Sequence, residues 1–352
     1  MAATECVLVT GGAGFIGSHF IEWLLQESDA QVVCFDRLAG SEADRLRSNL
    51  ESFAGNPRVA IERADFRKLA DVDSVFARYK ITSVVHLGAL TGVRQSVRHP
   101  LAYERTNVRG TLNLFEAARR ASINRFVYVS SSSVYGPDAT LPFREEGVAC
   151  PISPYGATKL AAETLAQTYH RLHGLPVVCI RPFSVYGRRL RPDLALSIFT
   201  RGILAGEEIR LFGDGSVQRD FTHVADVCRG LLEAWRRPSV DGKTVNLGSG
   251  CPVSLWNLIG TIEWATGRKA QVRTAPARKE DLTVTWACTA LAEQLLGFRP
   301  CVSLEEGIQD YITWLGRSLT HRTVDAGQIA SPDLTSSEAG GRKDIAEKPV
   351  TN

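Results

Sequence analysis

Through its first two-thirds the chain alternates short runs, apolar at nearly every position, with longer segments whose apolar residues recur at helical spacing. The runs fall at 6–10, 31–36, 59–65, 83–88, 125–131, 176–183 and 243–248. Continuous apolarity over so few residues predicts parallel strands buried on both faces. Between them, 15–27, 107–121 and 155–172 carry amphipathic helical patterns. Strand–helix alternation of this kind predicts an α/β fold built on a doubly wound parallel sheet. After Phe183 the rhythm changes: a basic extended stretch at 188–191 leads into a helical pattern at 194–205 and a Gly/Asp loop at 213–216. A segment at 252–267, a strand-like 270–274 and an amphipathic helix at 303–319 follow. The expected organisation is one domain over 1–183 plus 222–250, interleaved with a smaller lobe over 184–221 plus 251–319. From Thr320 onward polar and small residues dominate, which predicts a disordered tail over 320–352.

Composition narrows the class. The 352 residues are 22% charged and 44% hydrophobic, ordinary for a globular protein with a sizeable core. A formal charge of +3 with no basic block gives no support to a nucleic-acid or membrane-surface role. The start lacks the basic region of a signal peptide, and its apolar run is too short to span a bilayer, so a cytoplasmic location is expected. Eight scattered cysteines without a CxxC pair read as reduced thiols, and seven histidines without ligand spacing predict no metal site.

The first apolar run leads directly into Gly11-Gly12-Ala13-Gly14-Phe15-Ile16-Gly17 and then a helix. Glycines here serve a tight turn, close backbone approach to a pyrophosphate, and close packing of helix on strand. The free N–H groups at the helix start then receive the phosphates. Asp36 closes the second run, roughly 20 residues on, where an acid binds the ribose hydroxyls and repels a 2′-phosphate. NAD is the expected cofactor, although Arg37 beside Asp36 has the chemistry to accommodate that phosphate.

Further on, Tyr155-Gly156-Ala157-Thr158-Lys159 sets a phenol and an ammonium on one helical face. A free tyrosine, with a pKa of about 10, is a poor base near neutrality. A neighbouring Lys⁺ and a positive nicotinamide are expected to favour the phenolate, giving a base for a substrate hydroxyl. Ahead of it, the run at 125–131 ends in Ser130-Ser131-Ser132-Ser133-Val134-Tyr135-Gly136. In an open α/β sheet ligands sit beyond the carboxyl ends of the strands, so these hydroxyls are expected at the site.

Together GGAGFIG, SSSSVYG and SPYGATK resemble the extended short-chain dehydrogenases/reductases, specifically the NAD-dependent sugar-nucleotide epimerases and dehydratases. The resemblance runs from about Val7 to Trp314. It implies a Rossmann NAD-binding domain and a UDP-sugar-binding lobe, with Tyr155, Lys159 and Ser131 catalytic. It further implies that NAD meets Gly11, Gly14, Phe15, Ile16, Gly17, Asp36, Arg37, Asp65, Phe66, Leu87, Ala89, Tyr155, Lys159 and Pro182. Asp65 and Phe66 fall where the superfamily holds the adenine, and Asp65 equally suits a helix N-cap.

Two positions after Ser131 separate chemistries. The hexose 4,6-dehydratases carry Asp-Glu there, and the UDP-glucuronate decarboxylases carry Glu at the second. This chain has Ser132-Ser133, so neither elimination nor that decarboxylase pattern is expected. The stretches His86-Leu87-Gly88-Ala89, Gly92-Val93-Arg94, Arg181-Pro182-Phe183-Ser184-Val185-Tyr186-Gly187 and Arg191-Pro192-Asp193-Leu194-Ala195 resemble the UDP-glucuronate 4-epimerases, with Gly88 and Pro182 as departures. The resemblance assigns Arg191, Arg219 and Arg278 to the UDP phosphates, Asp281 to its ribose and Phe212 to the wall beside uracil. Ser132, Ser133 and Ser184 would form a hydroxyl pocket for the sugar carboxylate. Val93 also belongs to the implied substrate set, and Arg94 faces either sugar or pyrophosphate. The expected reaction is C4 epimerisation of UDP-glucuronate through a 4-keto intermediate without decarboxylation. A neutral-sugar 4-epimerase is the alternative, and a non-catalytic NAD-binding regulator the rival from another class. A homodimer is expected through the helices at 107–121 and 155–172, with Leu112, Leu114, Leu160 and Leu165 as apolar surface. His86 and His223 are read as structural.

Overall fold

The computed structural model describes residues 5–40, 42–278 and 281–328. The apolar runs become β1 (Cys6–Thr10), β2 (Gln31–Asp36), β3 (Val59–Arg63), β4 (Ser83–His86), β5 (Arg125–Val129) and β6 (Val177–Pro182). Three further strands, β7 (Ser184–Tyr186), β8 (Glu208–Phe212) and β9 (Gln218–His223), precede β10 (Thr244–Leu247), and β11 (Pro252–Ser254) and β12 (Gln271–Ala275) follow. Seven of them form one parallel sheet, ordered β10-β6-β5-β4-β1-β2-β3. This is the doubly wound order, with its switch point between β1 and β4.

The continuous apolarity has the predicted cause. Every residue of β1, β4 and β5 is buried. Leu8, Phe35, Phe126, Tyr128 and Cys179 pack on one side with the helices Leu69–Arg78, Thr111–Arg120 and Pro154–His173. The helices Phe15–Glu27 and Val224–Arg236 pack together, and the buried Val9, Cys34 and Val127 belong to the other side. Leu114, expected on the surface of its helix, is fully buried in the first layer. It lies with Thr111, Phe115 and Ala118 on the one stripe of that helix that is buried.

The remaining strands form a three-stranded sheet, β11-β9-β7, and the parallel pair β12-β8. Asp220 on β9, fully buried, ties this region to the large sheet. Its carboxylate accepts from Ser249 N (2.6 Å), Gly250 N (3.0 Å), Ala287 N (3.0 Å), Ser249 Oγ (2.8 Å) and Thr222 Oγ1 (3.2 Å). A buried carboxylate so fully satisfied cross-links β9 to the loop after β10.

The chain through Ile312 makes one compact unit, and a second begins at Thr313. The final helix, Leu304–Gln328, continues past the Thr320 at which the expected tail starts. Beyond Gln328 that tail lies outside the described residues. Among the described residues no helix is long and apolar enough to cross a membrane, and all eight cysteines are free thiols.

Candidate active site

The glycine turn closes at the carboxyl end of β1. Gly11 adopts φ 67°, its N–H donates to Phe35 O at 2.9 Å, and its own carbonyl accepts from Gly14 N at 2.9 Å. A Cβ on Gly17 would collide with the Gly11 carbonyl, so only glycine lets the helix come this close. The helix Phe15–Glu27 starts at Gly14 with no side chain capping it. Its first N–H groups therefore fit an anionic partner. Phe15 is buried and Ile16 half-buried along that first turn.

Asp36 ends β2 facing the turn. Its carboxylate accepts from Ala13 N (3.3 Å) and Leu38 N (3.2 Å). Burial pushes its carboxyl above the ordinary value, against those hydrogen bonds. Arg37 is exposed beside it. Asn49, which no motif singled out, donates from Nδ2 to Ala13 O at 2.9 Å and braces the turn from behind. These residues fit a dinucleotide: a turn without side chains, uncapped helix N–H groups, and a carboxylate at the end of the next strand.

Asp65 and Phe66, expected beside the adenine, follow β3. Asp65 is clasped by Arg67, with Nε 2.9 Å from Oδ1. Burial raises its carboxyl, but the Arg67 hydrogen bonds outweigh this and hold it below the usual range. It is no helix N-cap, because Lys68 takes that place before the helix Leu69–Arg78. Phe66 turns its ring into the core, edge-on to His86 with centroids 5.2 Å apart. Two glycines make room for it. A Cβ at Gly88 would lie 2.7 Å from Phe66 Cε1, and one at Gly110 2.6 Å from Cε2. Leu87 and Ala89 flank Gly88 just beyond β4, where Leu87 N donates to Thr10 O and Gly88 N to Thr10 Oγ1. His86 is structural as expected: its ring nitrogens meet Thr10 Oγ1 (2.6 Å) and Thr111 Oγ1 (2.9 Å), and burial lowers its pKa strongly. His223 caps the helix Val224–Arg236, accepting from Ala225 N at 3.3 Å.

Between Tyr103 and Thr111 the chain makes a π-turn, Glu104–Gly110. This aims Asn107 inward. Its Nδ2 donates to Leu90 O (2.9 Å) and Thr158 Oγ1 (3.1 Å), and its Oδ1 accepts from Leu90 N (2.8 Å). Asn107 thus ties the segment after β4 to the helix that carries Tyr155 and Lys159. Sequence periodicity missed it, since a π-turn leaves only a phase slip in the apolar pattern.

At the next strand, β5 runs into Ser130 and Ser131, then a single 3-10 turn, Ser132–Val134. Ser131 Oγ caps that turn, accepting from Ser133 N at 3.1 Å. Ser153 Oγ caps the helix Pro154–His173 by accepting from Gly156 N at 3.1 Å, with Pro154 at its first position. A Cβ on Gly156 would collide with Ser133 O, so this glycine is what lets helix and serine turn meet. The meeting brings the Ser131 hydroxyl into a hydrogen bond with the Tyr155 phenol.

Tyr155 is buried, its ring edge-on to Tyr103 at 6.2 Å. Burial pushes its phenol above the ordinary value; the Ser131 hydrogen bond and the charge of Arg191 pull it back. Arg191, expected at the UDP phosphates, thus also acts on the phenol. Lys159 lies one helical turn on, with Nζ donating to Val129 O at 2.7 Å and 5.0 Å from the centre of the Tyr128 ring. Burial pulls its ammonium down to about 7, against the favourable charge of Glu163. Arg191 also pairs with Asp193, Nε to Oδ1 at 2.9 Å.

β5 and β6 are neighbours, so Ser131–Ser133 and Pro182–Ser184 leave the sheet at the same edge. Pro182 ends β6, opposite Leu247 of β10, and Ser184 begins β7. The nucleotide-side residues gather around β8. Arg278 lies over the Phe212 ring, its Cζ 3.2 Å from the centroid, and the Arg94 Cζ is 5.7 Å from it. Val93 opens the short helix that carries Arg94. Arg219 Nη1 donates to Leu282 O at 2.7 Å, and burial lowers its pKa against the charge of Asp281. Among the described residues no cluster of three or more His, Cys, Asp or Glu could hold a metal.

A parallel doubly wound sheet with a glycine turn, an acid at the second strand, and a Ser–Tyr–Lys constellation over its carboxyl edge defines a dinucleotide-dependent enzyme of sugar-nucleotide type. Residues 7–248 match the NAD dependent epimerase/dehydratase family, and the chain belongs to it. NAD is its cofactor. A UDP-glucuronate 4-epimerase of Thermodesulfobacterium geofontis is 36% identical over 310 residues, covering 87% of this chain and 95% of that protein. The UDP-glucuronic acid 4-epimerase of Bacillus cereus, solved with UDP-glucuronic acid and NAD, superposes with a TM-score of 0.84 at 33% identity, covering 89% and 100%. The UDP-glucose 4-epimerase of Thermotoga maritima, solved with UDP-glucose, gives 0.83 at 31% identity, covering 90% and 100%.

Proposed function

We propose that this protein is a UDP-glucuronate 4-epimerase, interconverting UDP-glucuronate and UDP-galacturonate without loss of CO₂. The observation that carries the reading is the hydrogen-bonded Ser131–Tyr155 pair, set at one sheet edge with the neutral hydroxyl residues Ser132, Ser133 and Ser184. Tyr155 takes the proton of the sugar 4-hydroxyl, directly or through Ser131, and returns it after the sugar has turned over. Bound NAD supplies the acceptor and donor of the C4 hydride. Lys159 and Asn107 hold the Tyr155 helix against β5 and the segment after β4. Arg191, Arg219 and Arg278 bind the phosphates, Phe212 lies beside uracil, and Asp281 takes the ribose.

A 4-keto uronate is a β-keto acid and loses CO₂ when its carboxylate bond overlaps the ketone. The three serines restrain the carboxylate near the ring plane by hydrogen bonds that carry no proton-transfer group of useful pKa. The same neutrality disfavours elimination across C5–C6. The second reading, a neutral-sugar 4-epimerase, draws on the likeness to the UDP-glucose enzyme of Thermotoga maritima.

The deciding experiment offers UDP-glucuronate and UDP-glucose separately and scores the C4 epimer and any CO₂. Epimerisation of UDP-glucose alone would replace the uronate reading. We further propose that the protein works as a homodimer in the cytoplasm, through the helices Thr111–Arg120 and Pro154–His173. Leu112, Leu160 and Leu165 on them are half-buried, and Leu172 remains 72% exposed. A monomer by light scattering at micromolar concentration would end the dimer proposal.

A further inference from the structure

We infer that Arg189 is a positioning residue: it pins the strap between β7 and the helix Ala195–Ala205 to the helix Phe15–Glu27, and through that strap holds Arg191 at the Tyr155 site. This rests on the reading above that Tyr155 is the base. The strap leaves β7 at Gly187, where a Cβ would lie 2.7 Å from Val224 Cγ1. Leu190 N donates back to Gly187 O at 3.2 Å, and the Leu190 side chain is buried. Between them Arg189 is left-handed, at φ 60°. A residue with a side chain keeps such a conformation only where its surroundings hold it. Here they belong to the cofactor side. Arg189 Nη1 donates to Ser18 Oγ (3.2 Å), and Nη2 to Glu22 Oε1 (2.5 Å) and Ser52 Oγ (3.3 Å). Ser52 Oγ donates to the same carboxylate. Ser18 and Glu22 lie on the helix that starts at the glycine turn.

The Arg189–Glu22 pair is mostly shielded, its side chains 16% and 26% exposed. Arg188, one residue earlier, pairs with Asp310 but is 55% exposed, and exposed pairs of that kind hold little. Two residues beyond Arg189 the strap carries Arg191. Arg191 Nη2 and Tyr103 Oη lie 3.8 and 3.9 Å from where a Cβ on Gly92 would stand. Tyr103 in turn packs edge-on against the Tyr155 ring. Among the described residues the Arg191 guanidinium donates only to Asp193, itself part of the strap. Where the strap goes, Arg191 therefore goes. Tyr103 and Tyr128 are the titratable groups that feel the Tyr155 phenol, and Lys159 lies one turn along its helix. Arg189 acts directly on none of these, so its hold on the phenol runs through the strap.

The phenol itself is the readout: carbon NMR of Cζ-labelled tyrosine in the NAD-bound protein, titrated with pH and assigned against Tyr155→Phe. Arg189→Met should raise the phenol's pKa by about half to one unit, part of the one to three units that a close opposite charge supplies. Glu22→Ala should raise it as well. By charge alone, removing an acid would lower it, so an upward move in both variants is the mark of lost position. Arg188→Met removes the same charge one residue earlier and should leave the phenol where it is. A phenol unmoved in Arg189→Met, lowered in Glu22→Ala, or raised as far by Arg188→Met would overturn the inference. Should Arg189→Met fail to fold, Glu22→Ala decides alone. Turnover of UDP-glucuronate near pH 7 should fall about three- to tenfold in both variants, as the phenolate fraction falls. A phenol that moves while the pH profile of kcat stays put would remove Tyr155 from the role of base and leave the positioning by Arg189 standing.

Discussion

The ammonium of Lys159 donates to the carbonyl of Val129 at 2.7 Å, which turns the buried charge of the Tyr155 helix toward the end of β5. Burial lowers that ammonium to about 7 from its ordinary 10.5. Above pH 7 the folded lysine sheds its proton while the unfolded one keeps it to about pH 10. The unfolded state then binds more protons, so this group makes stability rise with pH across that window, by at most about 1.4 kcal/mol per unit. Lys159→Met removes the cost of the buried charge. Its melting temperature should exceed that of wild type most at pH 6–7, and the difference should shrink by pH 9. A difference that is flat between pH 6 and pH 9 would show that the ammonium is not strained by burial.

Tyr155→Phe should keep the fold, since the ring stays packed against Tyr103, and should bind UDP as wild type does. Removing a general base typically costs about 10²–10⁴-fold in rate. Turnover followed by product NMR should fall by that order, and a tenfold loss or less would remove Tyr155 from the role.

Glu163 and Arg181 form a buried ion pair, only 4–5% exposed, with Nη2 2.7 Å from Oε2. Arg181 also donates to Tyr135 Oη at 2.9 Å, and Tyr135 Oη to Asn246 Oδ1 at 2.9 Å. Glu163→Gln leaves the guanidinium without its counter-charge and should cost about 3–5 kcal/mol in urea denaturation. Replacing both partners with leucine should cost less than the single change. A single variant within about 1 kcal/mol of wild type would mean that the guanidinium finds water or another acid.

Gly88→Ala should be harmful although the side chain added is a single methyl. The new Cβ meets Phe66 Cε1 at 2.7 Å, and overpacking of this kind costs about 1–3 kcal/mol. Phe66→Leu should recover much of the loss in the double variant, read as coupling in a double-mutant cycle. Additive effects would show that the clash lies elsewhere.

What the sequence disclosed follows the strength of the local signal. β1, β2 and the helix Phe15–Glu27 have the bounds the pattern predicted, because apolar runs broken by Gly11 and Asp36 leave little freedom. β7, β8 and β9 went unread: they are partly exposed and ordered by partners distant in sequence. The site residues were legible as types and much less so as partners. Spacing on a helix cannot say that the Lys159 ammonium also donates to Val129 O, or that Arg191 acts on the Tyr155 phenol. Leu114 was misplaced for a related reason. Which face of a helix meets the sheet is decided by tertiary packing.

The π-turn at Glu104–Gly110 also bears on how the gene can vary in length. Such a turn carries one residue more than the α-helical path it replaces. Removing one residue between Glu104 and Asn107 would let the segment relax to a regular helix with its flanks in phase, while the side chains inside the turn change direction. Asn107 would then point away from Leu90 and Thr158, although no residue of the site had been substituted. Insertions and deletions are usually absorbed in loops. Here a deletion inside a helix would undo the seating of Tyr155 from a distance, so this segment should tolerate changes of letter far better than a change of count.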